Sequence, residues 1–337
     1  MERMNRRPIL SIIVPVYNVE PYLERCLLSC LHQDISHDDY EIIVVNDGST
    51  DGSLRVAERI AEDNANVKVV SRPNGGLSAA RNTGMKHASG KYYMYVDSDD
   101  YLFDNILSGL LKTCEEHNLD VLFFWTCFEC QGSIWDTEHQ PFEEQSVYTG
   151  EYALLHDMRI DSVWQCVYRA GLIKDLQLEF PEGRNHEDIP FDMKLYPFVK
   201  RMMFCHTMGY HYCLDRPSIM RTDNKEKVFK LMMDNLQTVG EIKAFAHKEN
   251  ISKELADYYI RRMNSLEVSH FLMFINQKYP WSYICGYMNE ARRLGLYPIK
   301  GRTLSFKTTL LIPLINSYFY RWILRLNSTN NSICNGK

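Results

Sequence analysis

A chain of 337 residues with 45% hydrophobic content can bury the core of one large domain or two smaller ones. Its formal net charge of -5 argues against a general nucleic-acid binder, which needs a basic surface to meet phosphates. No run reaches the roughly 18 consecutive apolar residues of a spanning helix, and the ten cysteines hold a single C-x-x-C, Cys127 and Cys130, without the second pair of a four-thiolate zinc site. Free thiols in a reducing cytoplasm fit that usage.

The opening MERMNRRPILSIIVPVYN imitates a leader with its basic residues and apolar run, but no small-residue cleavage site follows. Ile9 to Val16 therefore reads as strand one. Further β-branched runs at Glu41 to Asn46, Val67 to Val70, Lys91 to Asp97 and Asp120 to Phe124 alternate with helical stretches at Pro21 to His32, Gly52 to Asp63, Leu77 to Ala88 and Asp104 to His117. That alternation predicts an α/β fold with a doubly wound, mostly parallel sheet and helices on both faces.

Ligands of such sheets bind beyond the carboxyl ends of the strands. Those ends carry Pro15, Val16, Tyr17 and Asn18; Asn46, Asp47, Gly48 and Ser49; Arg72 to Gly76 with Asn74; and Asp97, Ser98, Asp99 and Asp100. An acceptor such as Asp47 for a base N–H, an aromatic at Tyr17 for stacking and a cation site for phosphates suit a nucleotide. The three carboxylates within Asp97 to Asp100 raise one another's pKa, so a cation, basic groups or water must neutralise them. A hard divalent ion, Mn²⁺ or Mg²⁺, takes such oxygen ligands while keeping waters and diphosphate oxygens. An Asp-rich loop capping the next helix is the competing reading.

From Ser162 to about Ser218 the pattern is irregular, with strand-like pieces at Arg201 to His206 and Met208 to Cys213, and it reads as the acceptor side of the cleft. Glu226 to Leu294 has apolar residues at helical spacing, among them Tyr259, Met263, Leu266, His270 and Phe274. The expected division is 1–222, an α/β domain whose strand ends suit a nucleotide; 223–300, a helical region; and 301–337, a basic amphipathic tail. After Glu290 there is no Asp or Glu, while Arg292, Arg293, Lys300, Arg302, Lys307, Arg321, Arg325 and Lys337 are basic.

The segments SIIVPVYNVEPYLERCLLS, EIIVVNDGSTDGS, RPNGGLSAARNTGMKHASGKYYMYVDSDD, EGRNHEDIPFDMK and YHYCLDRPSIM stand in order over roughly residues 9 to 221. Together they resemble the inverting glycosyltransferases of family 2, with the GT-A fold. The resemblance implies a UDP-sugar donor and a saccharide acceptor in cell-surface polysaccharide assembly. It implies that Tyr17 and Asp47 hold uracil, that Asn74 and Arg81 line the nucleotide or its phosphates, and that Asp97 faces the ribose and Asp99 the metal. The later Glu-Asp pair supplies the base, placed at Asp188 with Glu187 as the alternative. Relatives often read WNKLY where this chain has WQCVY, from Trp164 to Tyr168, so a Lys is replaced by Cys166.

Inverting transfer needs a carboxylate to take the proton of the attacking hydroxyl. Asp188 suits this role, although a residue preceding Pro190 at a helix start also suits an N-cap. His211 is a candidate third metal ligand, Arg216 and Ser218 candidates to grip the diphosphate as a lid, and Trp164 a candidate platform for a sugar ring. A sugar-phosphate nucleotidyltransferase would need a Gly-rich, basic loop after strand one, which VPVYNVEPYL lacks. A catalytically inactive, membrane-bound nucleotide-sugar-binding module would be favoured by decay at Asp97, Asp99 or Asp188, all of which are present.

On one continuous helix, Leu310 to Leu326 would align Leu311, Leu314, Ile315, Tyr318, Trp322 and Leu326 on one side and Ser317, Arg321 and Arg325 on another. That pattern predicts peripheral attachment to an anionic membrane surface, on the cytoplasmic inner face, near a lipid-linked acceptor.

Overall fold

The first strands are apolar at almost every position, as a sheet covered on both faces requires. The computed structural model describes residues 7–136, 141–156, 158, 162–215 and 224–328. The chain divides into two units, Met1–Pro217 and Ser218–Lys337.

In the first unit β1 (Leu10–Val16), α1 (Glu20–Leu31), β2 (Tyr40–Asn46), α2 (Ser53–Asp63), β3 (Val67–Ser71), α3 (Leu77–His87) and β4 (Tyr92–Tyr95) follow the predicted alternation. Beyond them lie β5 (Tyr101–Leu102), α4 (Leu107–Glu116), β6 (Val121–Cys130), β7 (Ser133–Asp136), α5 (Gly150–Leu155), β8 (Cys166–Arg169), α6 (Ala170–Asp175), α7 (Asp188–Leu195) and β9 (Met202–Cys213). The sheet order is β3-β2-β1-β4-β8-β6-β9-β5, with β7 on β6. Strands β1 to β4 pair parallel, whereas β8 is antiparallel to both β4 and β6. The two strand-like pieces expected after Arg201 are one strand, β9, whose pairing with β6 shifts register around Trp125.

The α/β fold class stands, with a sheet parallel in its first half and mixed beyond β4. Ile12, Val14, Ile42 and Val44 share one core with Leu23, Cys26 and Leu27 of α1. On the opposite face α3 lies so close that a Cβ at Gly84 would sit 2.4 Å from Ile13 Cγ2 and 3.4 Å from Val45 Cγ2. This approach sets the depth at which α3 carries Arg81 under the strand ends.

The second unit holds α8 (Lys225–Phe245), α9 (Lys253–Asn276) and α10 (Trp281–Arg293). Asn224 and Ser252 cap the first two by accepting backbone N–H groups. Of the predicted α9 stripe, Tyr259, Met263, His270 and Phe274 are buried, joined by Asn264 and by Glu267, which pairs with Lys243.

The tail differs from a single helix. Phe306–Thr309 (α11), Ile312–Asn316 (α12) and Tyr318–Asn327 (α13) are separate, and the last break falls at Ser317, which is extended and caps α13 through Tyr320 N–H. Ile312, Ile315, Tyr320 and Leu324 are buried. Tyr320 Oη donates to Phe271 O at 2.9 Å and Asn327 Nδ2 to Ile275 O at 2.8 Å, so the tail is fastened to α9. Leu314, Tyr318, Trp322 and Leu326 of the predicted apolar side remain exposed, while Ile315 turns inward.

Gly84→Val should lower unfolding stability by about 1–3 kcal/mol through overpacking against Ile13. Urea denaturation checks this, and an unchanged midpoint would show that α3 does not rest on β1 as described.

Candidate active site

The strand-end loops are tied together by their own short polar side chains. Asn18, at φ 53, accepts from Thr50 N–H at 2.8 Å through Oδ1, while its own N–H donates to Ser49 Oγ at 3.2 Å. Asp47 is 2% exposed, accepts from Gly75 N–H at 3.0 Å and Gly76 N–H at 2.7 Å, and lies 3.4 Å from Arg72 Nε. Asn74 Nδ2 donates to Asp47 O at 3.0 Å. Asn18, Asp47 and Asn74 therefore build the loops as well as line them. Pro15 is buried in β1 opposite Val45, Ser98 is buried, and Tyr17 is 49% exposed at the rim.

Beneath these loops lies Arg81, 1% exposed on α3. Its Nη2 donates to Asp97 Oδ1 at 2.8 Å, and its Nη1 donates to Glu187 Oε1 at 2.7 Å and Asp188 Oδ1 at 2.6 Å. Arg81, expected to line the nucleotide or its phosphates, is buried and shared among three carboxylates, an arrangement in which it positions those groups. Asp188 opens α7, and its Oδ2 accepts from Val163 N–H at 3.4 Å. Burial pushes its pKa up to about 7; Arg81 opposes that shift, and Glu187 and Asp97 add to it. A carboxyl near neutrality can take and release a proton at physiological pH.

Asp97 N–H donates to Tyr210 Oη at 3.1 Å, and Tyr210 Oη donates to Asp100 Oδ2 at 3.0 Å. Asp100 Oδ1 accepts from Cys213 N–H at 2.9 Å. Asp100 is 2% exposed, and burial, with Asp97 adding to it, raises its pKa to about 8. It is a structural acid that ties the Asp97 turn to β9, whereas Asp97 and Asp99 are half-buried at the strand end.

His211 does not join them. It is buried between the rings of Tyr101 and Phe103, with centroids 4.1 and 3.8 Å away, and its Nδ1 is 3.2 Å from Cys127 Sγ. Burial lowers its pKa. Among the described residues no group of three His, Cys, Asp or Glu side chains is arranged to hold a metal ion, so the trio Asp97, Asp99 and His211 is not assembled. Arg216 and Ser218 lie outside the described residues.

Cys166, where the resemblance implies a Lys, is fully buried 3.8 Å from Tyr196 Oη, and Tyr168 beyond it on β8 donates to Asp192. Tyr210 was missed by sequence reasoning although it holds Asp97; strand alternation puts it and Tyr212 on the face opposite His211. Arg72, which the sequence marks only as part of the third strand-end loop, pairs with Asp47.

The sequence profile of glycosyl transferase family 2 matches residues 11–176. The uncharacterized glycosyltransferase EpsJ of Bacillus subtilis (strain 168) is 39% identical over 214 residues, 61% of this chain and 61% of that protein's length. EpsH of the same strain, named as a glycosyltransferase, is 31% identical over 268 residues, 78% of this chain and 75% of that protein. The crystal structure of S. aureus TarS 1–349 in complex with UDP-GlcNAc matches with a TM-score of 0.66 over 97% of this chain and 95% of that one. At 23% identity this last likeness is one of fold.

Because folded Asp100 keeps a proton that the unfolded chain releases near the ordinary carboxylate value of 3.8, its contribution to stability is present at low pH and is lost as pH rises toward about 8. The stability of the wild type relative to Asp100→Asn should fall across that window and level off above it. Thermal melts from pH 4 to 9 test this, and a pH-independent difference would contradict it.

Proposed function

The chain belongs to glycosyl transferase family 2, and on that footing we propose that it moves a sugar from a UDP-sugar to a hydroxyl of a saccharide acceptor with inversion. The observation carrying this reading is the buried Arg81, which ties the strand-end carboxylate Asp97 to the Glu187–Asp188 pair. One carboxylate then lies on the donor side and a separate one, with a raised pKa, on the acceptor side. The UDP-GlcNAc complex of a protein of the same fold supports the choice of UDP-sugar.

In the proposed step the acceptor oxygen bonds to the sugar's anomeric carbon as the bond from that carbon to the diphosphate oxygen breaks. The hydroxyl proton passes to Asp188, and UDP leaves with the electron pair. Arg81 and Val163 N–H orient the Asp188 carboxylate, and Glu187 shares its charge environment. Tyr17 lies exposed where a base can stack, beside the loops fixed by Asp47 and Asn74.

The donor set fits a divalent cation that takes few protein ligands. Asp97 and Asp99 are hard oxygen donors at the strand end, and Mg²⁺ or Mn²⁺ bound through one or two carboxylates keeps sites for water and substrate phosphate. Asp97 and Asp99 would hold it, and it would supply positive charge for the departing diphosphate.

Asp188→Asn should reduce turnover about 10²- to 10⁴-fold while leaving the UDP dissociation constant nearly unchanged. A panel of UDP-sugars, scored by thermal stabilisation with Mg²⁺ or Mn²⁺ present and then by turnover, tests the whole reading. Absence of stabilisation by every UDP-sugar would overturn it.

The tail supports attachment to an anionic membrane on the cytoplasmic inner face, close to a lipid-linked acceptor. Among the described residues no helix is long and apolar enough to cross a membrane. Phe306, Leu310, Tyr318, Phe319, Trp322 and Leu326 are exposed, and Arg321 stacks over Tyr318 at 3.9 Å. Aromatic groups among arginines suit an interface of headgroups and acyl chains. The double variant Tyr318→Glu and Trp322→Glu should stop sedimenting with phosphatidylglycerol vesicles at low salt yet still bind UDP. Equal sedimentation of variant and wild type would assign this face another role.

A further inference from the structure

Arg81 has a neighbour on α3 that reaches the same part of the chain by another route. Successive helix residues point about 100° apart, so Asn82 leaves α3 in a different direction. Residues 176–187, between α6 and α7, form neither helix nor strand, and they lead to Asp188 at the start of α7. Asn82 is buried, and its amide clamps this stretch: Nδ2 donates to Phe180 O at 2.9 Å and Oδ1 accepts from Phe180 N–H at 2.8 Å. Nδ2 also donates to Glu182 Oε1 at 3.3 Å. One side chain thereby satisfies both backbone polar groups of a residue that has no ladder to join, and only one orientation of the amide does so.

The ring of Phe180 carries the restraint onward. It is buried face to face on Phe191, with centroids 4.1 Å apart and planes inclined by 4°. Arg81 Cζ lies 5.4 Å from the centroid of the Phe180 ring, and Tyr95 packs against that ring edge-on at 5.3 Å. Phe191 stands three positions after Asp188 on α7, on the adjoining part of the helix surface. Helix α7 is therefore held twice from α3, by Arg81 through Glu187 and Asp188 and by Asn82 through Phe180 and Phe191. The second path runs through none of the residues assigned to UDP.

We propose that Asn82 is a positioning residue for the proposed base, setting through Phe180 where Asp188 meets Arg81 and the acceptor hydroxyl. This rests on the transfer reading above. A reacting group displaced by about 1 Å loses on the order of 10²-fold in rate, so a clamp remote from the substrate governs turnover while donor affinity does not depend on it.

The test places Asn82→Ala in the full chain, alone and together with Asp188→Asn, and reads turnover of a stabilising UDP-sugar, UDP titration and amide hydrogen exchange. Alone, Asn82→Ala should lower kcat about 10- to 100-fold, keep the UDP dissociation constant within about 2-fold, and speed exchange over residues 180–191 about 10-fold relative to β1 and β2. In the Asp188→Asn background the same change should lower kcat less than about 3-fold, since a residue acting through Asp188 has no base left to position. Equal losses in both backgrounds, or weakened UDP binding, would make Asn82 a general stabiliser and overturn the proposal, as would unchanged exchange. If Asn82→Ala does not fold, Phe180→Leu keeps the backbone clamp, removes only the ring and should show the same split between turnover and UDP binding; undiminished turnover there would overturn the link. A wild type that turns over no UDP-sugar would remove the transfer reading and this role with it, while exchange over 180–191 would still report the clamp by itself.

Discussion

One buried guanidinium holds the active-site region together. Arg81 comes from α3, Asp97 follows β4, and Glu187 and Asp188 stand at the start of α7, about a hundred residues further on, yet the three carboxylates meet at its two terminal nitrogens. Burying charge costs several kcal/mol per ion unless partners and hydrogen bonds compensate, and removing one partner of such a pair is strongly destabilising. Burial lifts Asp188 toward neutrality against the pull of Arg81, and the neighbouring Glu187 and Asp97 add to the lift. The fold thereby sets the protonation behaviour of the proposed base, and the close approach of α3 to β1 at Gly84 fixes where the charge sits.

Above this tie the loops are built from the residue types that also recognise ligands. Asn18 joins the first loop to the second, Asp47 joins the second to the third, and Tyr210 with Asp100 joins the fourth to β9. Each link satisfies backbone N–H groups that would otherwise be left unpaired near the strand ends. Structural capping and ligand recognition are therefore shared duties of the same side chains, and preorganised dipoles need no rearrangement when charge develops on a bound substrate.

Much of this was legible in the sequence. The runs that became β1 and β2 are apolar and buried throughout, and β3 is a β-branched edge strand with only Val67 fully buried, so composition alone marks all three. Asp47 and Asp97 stand out by their places at strand ends, and Asp188 by the resemblance. The short β8 was hidden because four residues, Cys166 to Arg169, carry no clear period, and its antiparallel insertion depends on long-range pairing. His211 drew attention by residue type, while alternation in β9 gives the site-facing work to Tyr210 and Tyr212. The carboxylate partners of Arg81 were not legible, because nothing local to α3 reveals groups that arrive at Glu187 and Asp188. The tail was read as one helix because periodicity does not register the break at Ser317, where the side chain caps α13.

The central claim is a single displacement at the anomeric carbon with Asp188 as base, and the stereochemistry of the product reports on it most directly. Proton NMR can follow the anomeric signal of the product first formed from an α-linked UDP-sugar that stabilises the protein, before mutarotation scrambles any free sugar. The account predicts the β anomer. An α product would require two displacements or front-side attack, and would contradict the roles given to Asp188 and to the site built around Arg81.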